Sequence, residues 1–225
     1  MCDANYFIIS GSVKKVEVLL LNKFRDSLQP MMGKIGLTFA SLGVSANFCT
    51  TISLATSIAA GAVYAIASSS TSGMEVPTIR LSWLYASVIG SILLLISGFF
   101  DVIDGSVARA TKQTSKKGAF LDSSFDKISE AIIFIGIAVG NLANPILCMI
   151  ALSLSIIVSY VRARAESLGV ELKGIGIGER AERLLIIAII GMVPVIGAMQ
   201  WAVIVVSVVA GLTLIQRIAV ASKKL

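Results

Sequence analysis

Apolar runs of about 20 residues recur along the whole chain, and no other feature limits its fold so strongly. A run of that length suits a helix crossing the ~30 Å hydrocarbon core of a bilayer. Six such runs are legible: residues 46–68, 81–100, 118–140, 145–168, 179–195 and 198–222, the second continuing as helix to about 110. The expected fold class is all-α integral membrane, with six transmembrane helices in a single domain over 1–225. Composition agrees, because 14% charged residues are too few to cover a soluble surface of this size. Residues 13–28 place apolar side chains at helical offsets, with Lys14, Lys15 and Arg25 supplying charge. They predict an amphipathic juxtamembrane helix within an N-terminal unit 1–36, ended by Pro30, Gly33 and Gly36.

Charge orients the bundle. With the N-terminus inside, every Lys and Arg except Arg80 falls on inside segments. The positive-inside rule then puts both termini and the charged face in the cytoplasm, at the cell membrane. It also demands an even number of spans. The net charge of +6 therefore reads as topology and anionic headgroup attraction, not as a nucleic-acid surface. Cys2, Cys49 and Cys148 are isolated, so they form neither a disulfide framework nor a zinc site. The chain has no histidine, so proton transfer falls to a carboxylate, Lys, Tyr or Cys.

Asp101 and Asp104 stand three apart at the end of the second run, and Asp122 and Asp126 stand four apart early in the third. Each pair shares a helix face. A short connection predicts that the two helices are antiparallel neighbours with their carboxylates facing one another. Four carboxylates brought together repel unless a cation neutralises them, and carboxylate oxygens are preferred ligands of Mg²⁺ and Mn²⁺. A one- or two-metal site follows, suited to displacement at phosphorus. Helix capping and pairing with nearby Lys or Arg is the plainer alternative, but ionisable residues entering a membrane helix are costly.

Other residues gather around this core. Gly105, Ala108 and Gly118 are small enough to admit a ligand or another helix. Arg162, Arg164, Arg180 and Arg183, with Lys173, form a basic cluster suited to a phosphate-bearing substrate, or to anchoring at the membrane face. Arg162 and Arg164 are two apart and cannot face the same way. Gly174, Gly176 and Gly178 fit a turn better than a phosphate cradle. Asn47 and Thr50, at the start of the first run, suit hydrogen bonding to a phosphate or base, or helix capping. Glu130 lies one turn beyond Asp126, in reach of Lys127 or an arginine.

The run Asp101-Val-Ile-Asp104-Gly105-Ser-Val-Ala108-Arg109, followed by Gly118-Ala-Phe-Leu-Asp122-Ser-Ser-Phe-Asp126, resembles the signature of the CDP-alcohol phosphotransferases at every position and spacing. The resemblance implies a CDP-lipid donor, an alcohol acceptor and release of CMP. It implies that Asp101, Asp104, Asp122 and Asp126 surround Mg²⁺ or Mn²⁺, as two ions, with Asp126 also the general base. Asn47, Thr50, Asp101, Gly105, Ala108, Arg109 and Gly118 would contact the CDP-lipid. Ser159-Tyr-Val-Arg162-Ala-Arg164-Ala-Glu166 and Gly178-Glu179-Arg180-Ala-Glu182-Arg183 are similar to the subgroup using inositol 1-phosphate. There, Arg162, Arg164, Arg183 and Arg217 would bind the acceptor phosphate. The glycine-rich run looks most like archaeal members, whose lipid is CDP-archaeol, and family members are commonly homodimers. Glycerol 3-phosphate is the runner-up acceptor. A divalent-cation or proton-coupled transporter is the rival of another class, disfavoured by one-sided carboxylates and no visible repeat.

Overall fold

A computed structural model describes residues 31, 33–69, 76–111, 115–172 and 174–225. The amphipathic helix expected over 13–28 lies outside them. Seven helices follow in order: α1 (33–41), α2 (Ala46–Ser69), α3 (Val76–Ala110), α4 (Lys116–Val139), α5 (Pro145–Ser167), α6 (Arg180–Gly191) and α7 (Ala198–Lys224). No strand occurs among the described residues.

Local chemistry sets the helix ends. Ser45 Oγ accepts from the Phe48 amide at the start of α2. Ser115 Oγ accepts from the Gly118 amide at α4, and Asn144 Oδ1 accepts from the Ile146 and Leu147 amides at α5. Glu179 and Glu182 form a reciprocal capping box at α6. Pro194 lacks an amide hydrogen and disfavours helix at the residue before it, so α6 stops at Gly191. Gly197, at φ 85°, opens α7 in a conformation that other residues adopt at a cost.

Four helices are long and apolar enough to cross a membrane among the described residues: α2, α3 from Ser82 onward, α5 and α7. The sequence predicts six. The two others fall short for physical reasons. α4 carries Asp122, Asp126, Lys127 and Glu130 between its first turns and its middle. α6 has 12 residues, a length of roughly 18 Å. Gly33 and Gly36 lie in α1, beyond the helix they were expected to end. A Cβ on Gly36 would stand 2.8 Å from the Ser106 Cβ, so this glycine lets α1 cross α3 closely.

The bundle is apolar outside as well as inside. Ile58, Phe99, Ile135, Ile146, Trp201 and Ile215 are exposed, a surface suited to lipid and not to water. Tyr64, Phe134, Ile137, Ile187, Met199 and Val203 fill the main core. Hydroxyls bridge the helices within it. Ser53 and Ser57 on α2 bond Ser97 on α3, and Tyr64 bonds Ser91 at 3.0 Å. Ser87 Oγ donates to the Gly191 carbonyl, satisfying an acceptor that the end of α6 leaves free.

α2 packs against α3 and α4, whereas α3 and α4 are not closely packed on one another. Gly61, Gly136 and Gly140 bring α2 and α4 into backbone contact. A Cβ on Gly136 would run into the Gly61 carbonyl oxygen, a backbone atom that cannot turn aside. Gly136→Ala is therefore expected to cost about 1–3 kcal/mol, read as a lower melting temperature of the purified protein in detergent.

Candidate metal centre

The neighbouring helices expected from the short α3–α4 connection do not pack together, yet their carboxylates meet. Asp101 from α3 and Asp122 and Asp126 from α4 each offer an oxygen within 4.8 Å of the others. Three carboxylates cannot be packed dry between two helices without a counter-charge. The cleft they require is closed from the side by the N-terminus of α6.

Asp104 points elsewhere. A three-residue step turns a helix side chain by about 60° from its starting direction, which aims Asp104 at α2. It is buried, and its Oδ2 accepts from Thr50 Oγ1 at 2.8 Å. Thr50, expected beside a ligand, is the residue that fixes this carboxylate. Asn47 is exposed one turn earlier, and its carbonyl accepts from Thr51 Oγ1. The capping hydroxyl at that helix start belongs to Ser45, so capping does not account for Asn47.

The small residues leave room along this cleft. A Cβ on Gly105 would meet only Arg109 Nη1, at 3.4 Å, so no protein packing there requires glycine. Ala108 is half-buried one turn on. Arg109 donates from Nη2 to Ser106 Oγ at 3.2 Å. Gly118 stands in the first turn of α4, with its amide on the Ser115 cap.

Arg180 is the functional residue that sequence reasoning placed too loosely. It belongs to the basic cluster by sequence, but its side chain enters the acidic one. Its Nη1 donates to both oxygens of Asp101, at 3.1 Å each, and pairs with Asp126 Oδ1 at 2.5 Å. The available signal was position: Arg180 is the first residue of α6, immediately after the glycine-rich segment.

One turn further along α6, Arg183 is fully buried against Glu130 of α4. Its Nε and Nη2 donate to Glu130 Oε1 at 3.0 and 2.7 Å, and its Nη1 donates to the Gly178 carbonyl at 2.7 Å. Lys127 Nζ stands 3.6 Å from the other Glu130 oxygen. Glu130 thus pairs with both of the partners its sequence position offered.

The remaining arginines divide. Arg217 is buried and donates to the carbonyls of Ile175 and Val158, both at 2.9 Å. Arg162, Arg183, Glu166 and Glu179 lie within electrostatic reach of it. Arg162 also pairs with Glu166 at 2.9 Å. Arg164 is exposed on the other side of α5, as the two-residue spacing requires. Arg162 and Arg183 thus lie within electrostatic reach of Arg217, and Arg164 is exposed. The glycine-rich segment packs tightly on α7, because Cβ atoms on Gly176 and Gly178 would collide with Thr213 and Val209. It is a close crossing, more than the turn its sequence suggested.

A model of the family described as CDP-alcohol phosphatidyltransferase matches residues 43–214. The chain belongs to this family. It is a membrane enzyme, and the transporter reading falls away. An archaetidylinositol phosphate synthase from Pyrococcus horikoshii is 34% identical over 206 residues, covering 92% of this chain and 98% of that protein. One from Methanothermobacter thermautotrophicus is 45% identical over 139 residues, covering 59% of this chain and 71% of that protein. The fold resembles the crystal structure of Mycobacterium tuberculosis phosphatidylinositol phosphate synthase in complex with manganese and citrate. That likeness has a TM-score of 0.67 at 23% identity, covering 84% of this chain and 88% of that one.

CDP-alcohol phosphotransferases use Mg²⁺ or Mn²⁺, and the residues present fit such an ion. Asp101, Asp122 and Asp126 supply hard oxygen donors only, without the sulfur or imidazole that would favour softer metals.

The Glu130–Arg183 pair holds α4 to α6 beside this centre. Glu130→Ala should cost about 3–5 kcal/mol by stranding a buried guanidinium. Replacing both partners with Met should recover most of that loss. Melting temperatures of the single and double variants in detergent check both statements.

Proposed function

We propose that this chain transfers a lipid-phosphate group from CDP-archaeol to 1L-myo-inositol 1-phosphate and releases CMP. The observation that carries the reading is the adjacency of two clusters of opposite charge. Asp101, Asp122 and Asp126 converge on one side of the first turn of α6. Arg162 and Arg183 lie within electrostatic reach of Arg217 beyond it. A phosphorylated alcohol anchored by the arginines presents its free hydroxyl toward the carboxylates. The archaetidylinositol phosphate synthase that matches nearly the whole chain supports this choice of acceptor and lipid.

The new bond joins the acceptor hydroxyl oxygen to the lipid-bearing phosphorus, and the phosphoanhydride bond to CMP breaks. Asp126 takes the hydroxyl proton. Asp101, Asp122 and Asp126 would hold the divalent ions, two in number, together with Asp104 once it turns from α2. Held there, the ions would supply charge neutralisation for the diphosphate and the departing CMP. Thr50 holds one Asp104 oxygen by its hydrogen bond. Gly105, Ala108 and Gly118 leave space for the nucleotide, with Asn47 and Arg109 at its edge. Positioning and charge neutralisation carry most of such a transfer, so a modest base suffices.

In the membrane, α4 and α6 complete a six-span bundle with α2, α3, α5 and α7, both termini cytoplasmic. The buried Glu130–Arg183 pair is how the charge at their midst is tolerated. Two chains form a homodimer.

The deciding experiment incubates purified protein with Mn²⁺, CDP-archaeol or CDP-diacylglycerol, and each candidate acceptor, and measures CMP. Inositol 1-phosphate should release CMP, while inositol and serine should not. Release with glycerol 3-phosphate in its place overturns the acceptor assignment. In the same assay Asp126→Asn should lower turnover by about 10²- to 10⁴-fold while CDP-lipid binding persists. Arg162→Ala should raise the KM for the phosphorylated acceptor with a smaller change in kcat, because it removes an anchor for the phosphate.

A further inference from the structure

A cation already stands among the carboxylates, and the chain supplies it. Arg180 Nη1 touches both Asp101 oxygens and Asp126 Oδ1, bridging α3 to α4 across the cleft. These are two of the three carboxylates that converge as ligands. A divalent ion of this kind sits ~2.0–2.1 Å from each ligand oxygen. An ion shared by Asp101 and Asp126 would need the space that Nη1 fills, and like charges at such a separation repel strongly. Guanidinium and metal therefore exclude one another.

A second observation says that the carboxylate-bound position is not the only one Arg180 is built for. Its Nε is buried and has no hydrogen-bond partner among the described residues. A buried, unsatisfied donor is costly, so this pose leaves part of the guanidinium unrewarded. Arg183, one turn away, has its Nε on Glu130 and is fixed. The contrast is between an arginine whose three nitrogens are all bonded and one whose Nε is not.

We propose that Arg180 is an exchangeable counter-ion: it holds Asp101 and Asp126 together in the metal-free chain and leaves them when the divalent ion enters. It acts through the carboxylates, as a positioning residue, and this role rests on the metal reading above. By linkage, Arg180 stabilises the metal-free fold and opposes metal binding in equal measure.

The test measures Mn²⁺ affinity by electron paramagnetic resonance of the free ion. It uses full-length wild type, Arg180→Met and Arg180→Lys in detergent without substrate. Arg180→Met should bind Mn²⁺ roughly 5- to 150-fold more tightly than wild type, the usual range for a coupling between two sites. Arg180→Lys should fall between. The metal-free Arg180→Met protein should melt below wild type, and saturating Mn²⁺ should close the gap. Equal or weaker Mn²⁺ binding by Arg180→Met overturns the proposal, as does a melting deficit that Mn²⁺ leaves unchanged. Wild type provides an arm that needs no variant. Labelling of Arg180 by phenylglyoxal, located by mass spectrometry, should rise several-fold on adding Mn²⁺. Unchanged labelling overturns the exchange. A wild-type chain that binds no Mn²⁺ overturns the metal reading itself, and the exchange with it.

Discussion

The ion pair between Glu130 and Arg183 joins α4, which carries Asp122 and Asp126, to α6, which carries Arg180. Both side chains are buried, and the arginine spends its remaining reach on the Gly178 carbonyl. Each contact has a consequence for the site. The Glu130 contact fixes α6 laterally against α4. The Gly178 contact fixes where α6 begins. With those settled, Arg180 has no choice of neighbourhood: one turn earlier on the same helix, it faces Asp101 and Asp126. A buried ion pair is a poor source of net stability, because desolvation offsets most of its attraction. Its value here is registry, since an apolar contact would tolerate sliding that this pair does not.

α2 is the counterpart of that pair on the other side of the cleft. It takes α3 and α4 as separate neighbours and keeps them from closing on each other. Its glycine contact with α4 and its serine contacts with α3 differ in kind. The first sets distance, and the second sets rotation, because a hydroxyl pair holds over a narrow range of angles. Thr50 extends the same polar edge to Asp104. The carboxylates are thus held from behind by a helix that contributes no carboxylate itself.

Much of this was legible from local spacing. The aspartate steps of three and four, the apolar run lengths and the basic residues at their ends are all short-range patterns. They located α2 to α7 to within a few residues and brought Asp101, Asp122 and Asp126 together. What spacing missed was long-range. Arg180 and Asp101 are 79 positions apart, and no periodicity links them. Arg162 and Arg164 show the limit from the other direction. Their spacing said that they must part, but only the packing of α5 decided that Arg162 is the half-buried one and Arg164 the exposed one. The glycines at 61, 136 and 140 gave no signal either, since a small residue inside an apolar run looks the same whether it faces lipid or another backbone.

The length of α6 belongs to the same logic. A helix of about 18 Å exposes two sets of unpaired backbone groups within a bundle that offers little water. Its carbonyl end is met by Ser87, which donates to Gly191. Its amide end carries a partial positive charge and begins beside the carboxylates, closed by Glu179 and Glu182. A longer helix would carry that positive end past the cleft, and Arg180 with it. Pro194 stops the helix at one end and the packed glycines at 176 and 178 stop it at the other. The residues that shorten α6 therefore do as much to place the cation as the arginine does, although none of them touches a carboxylate.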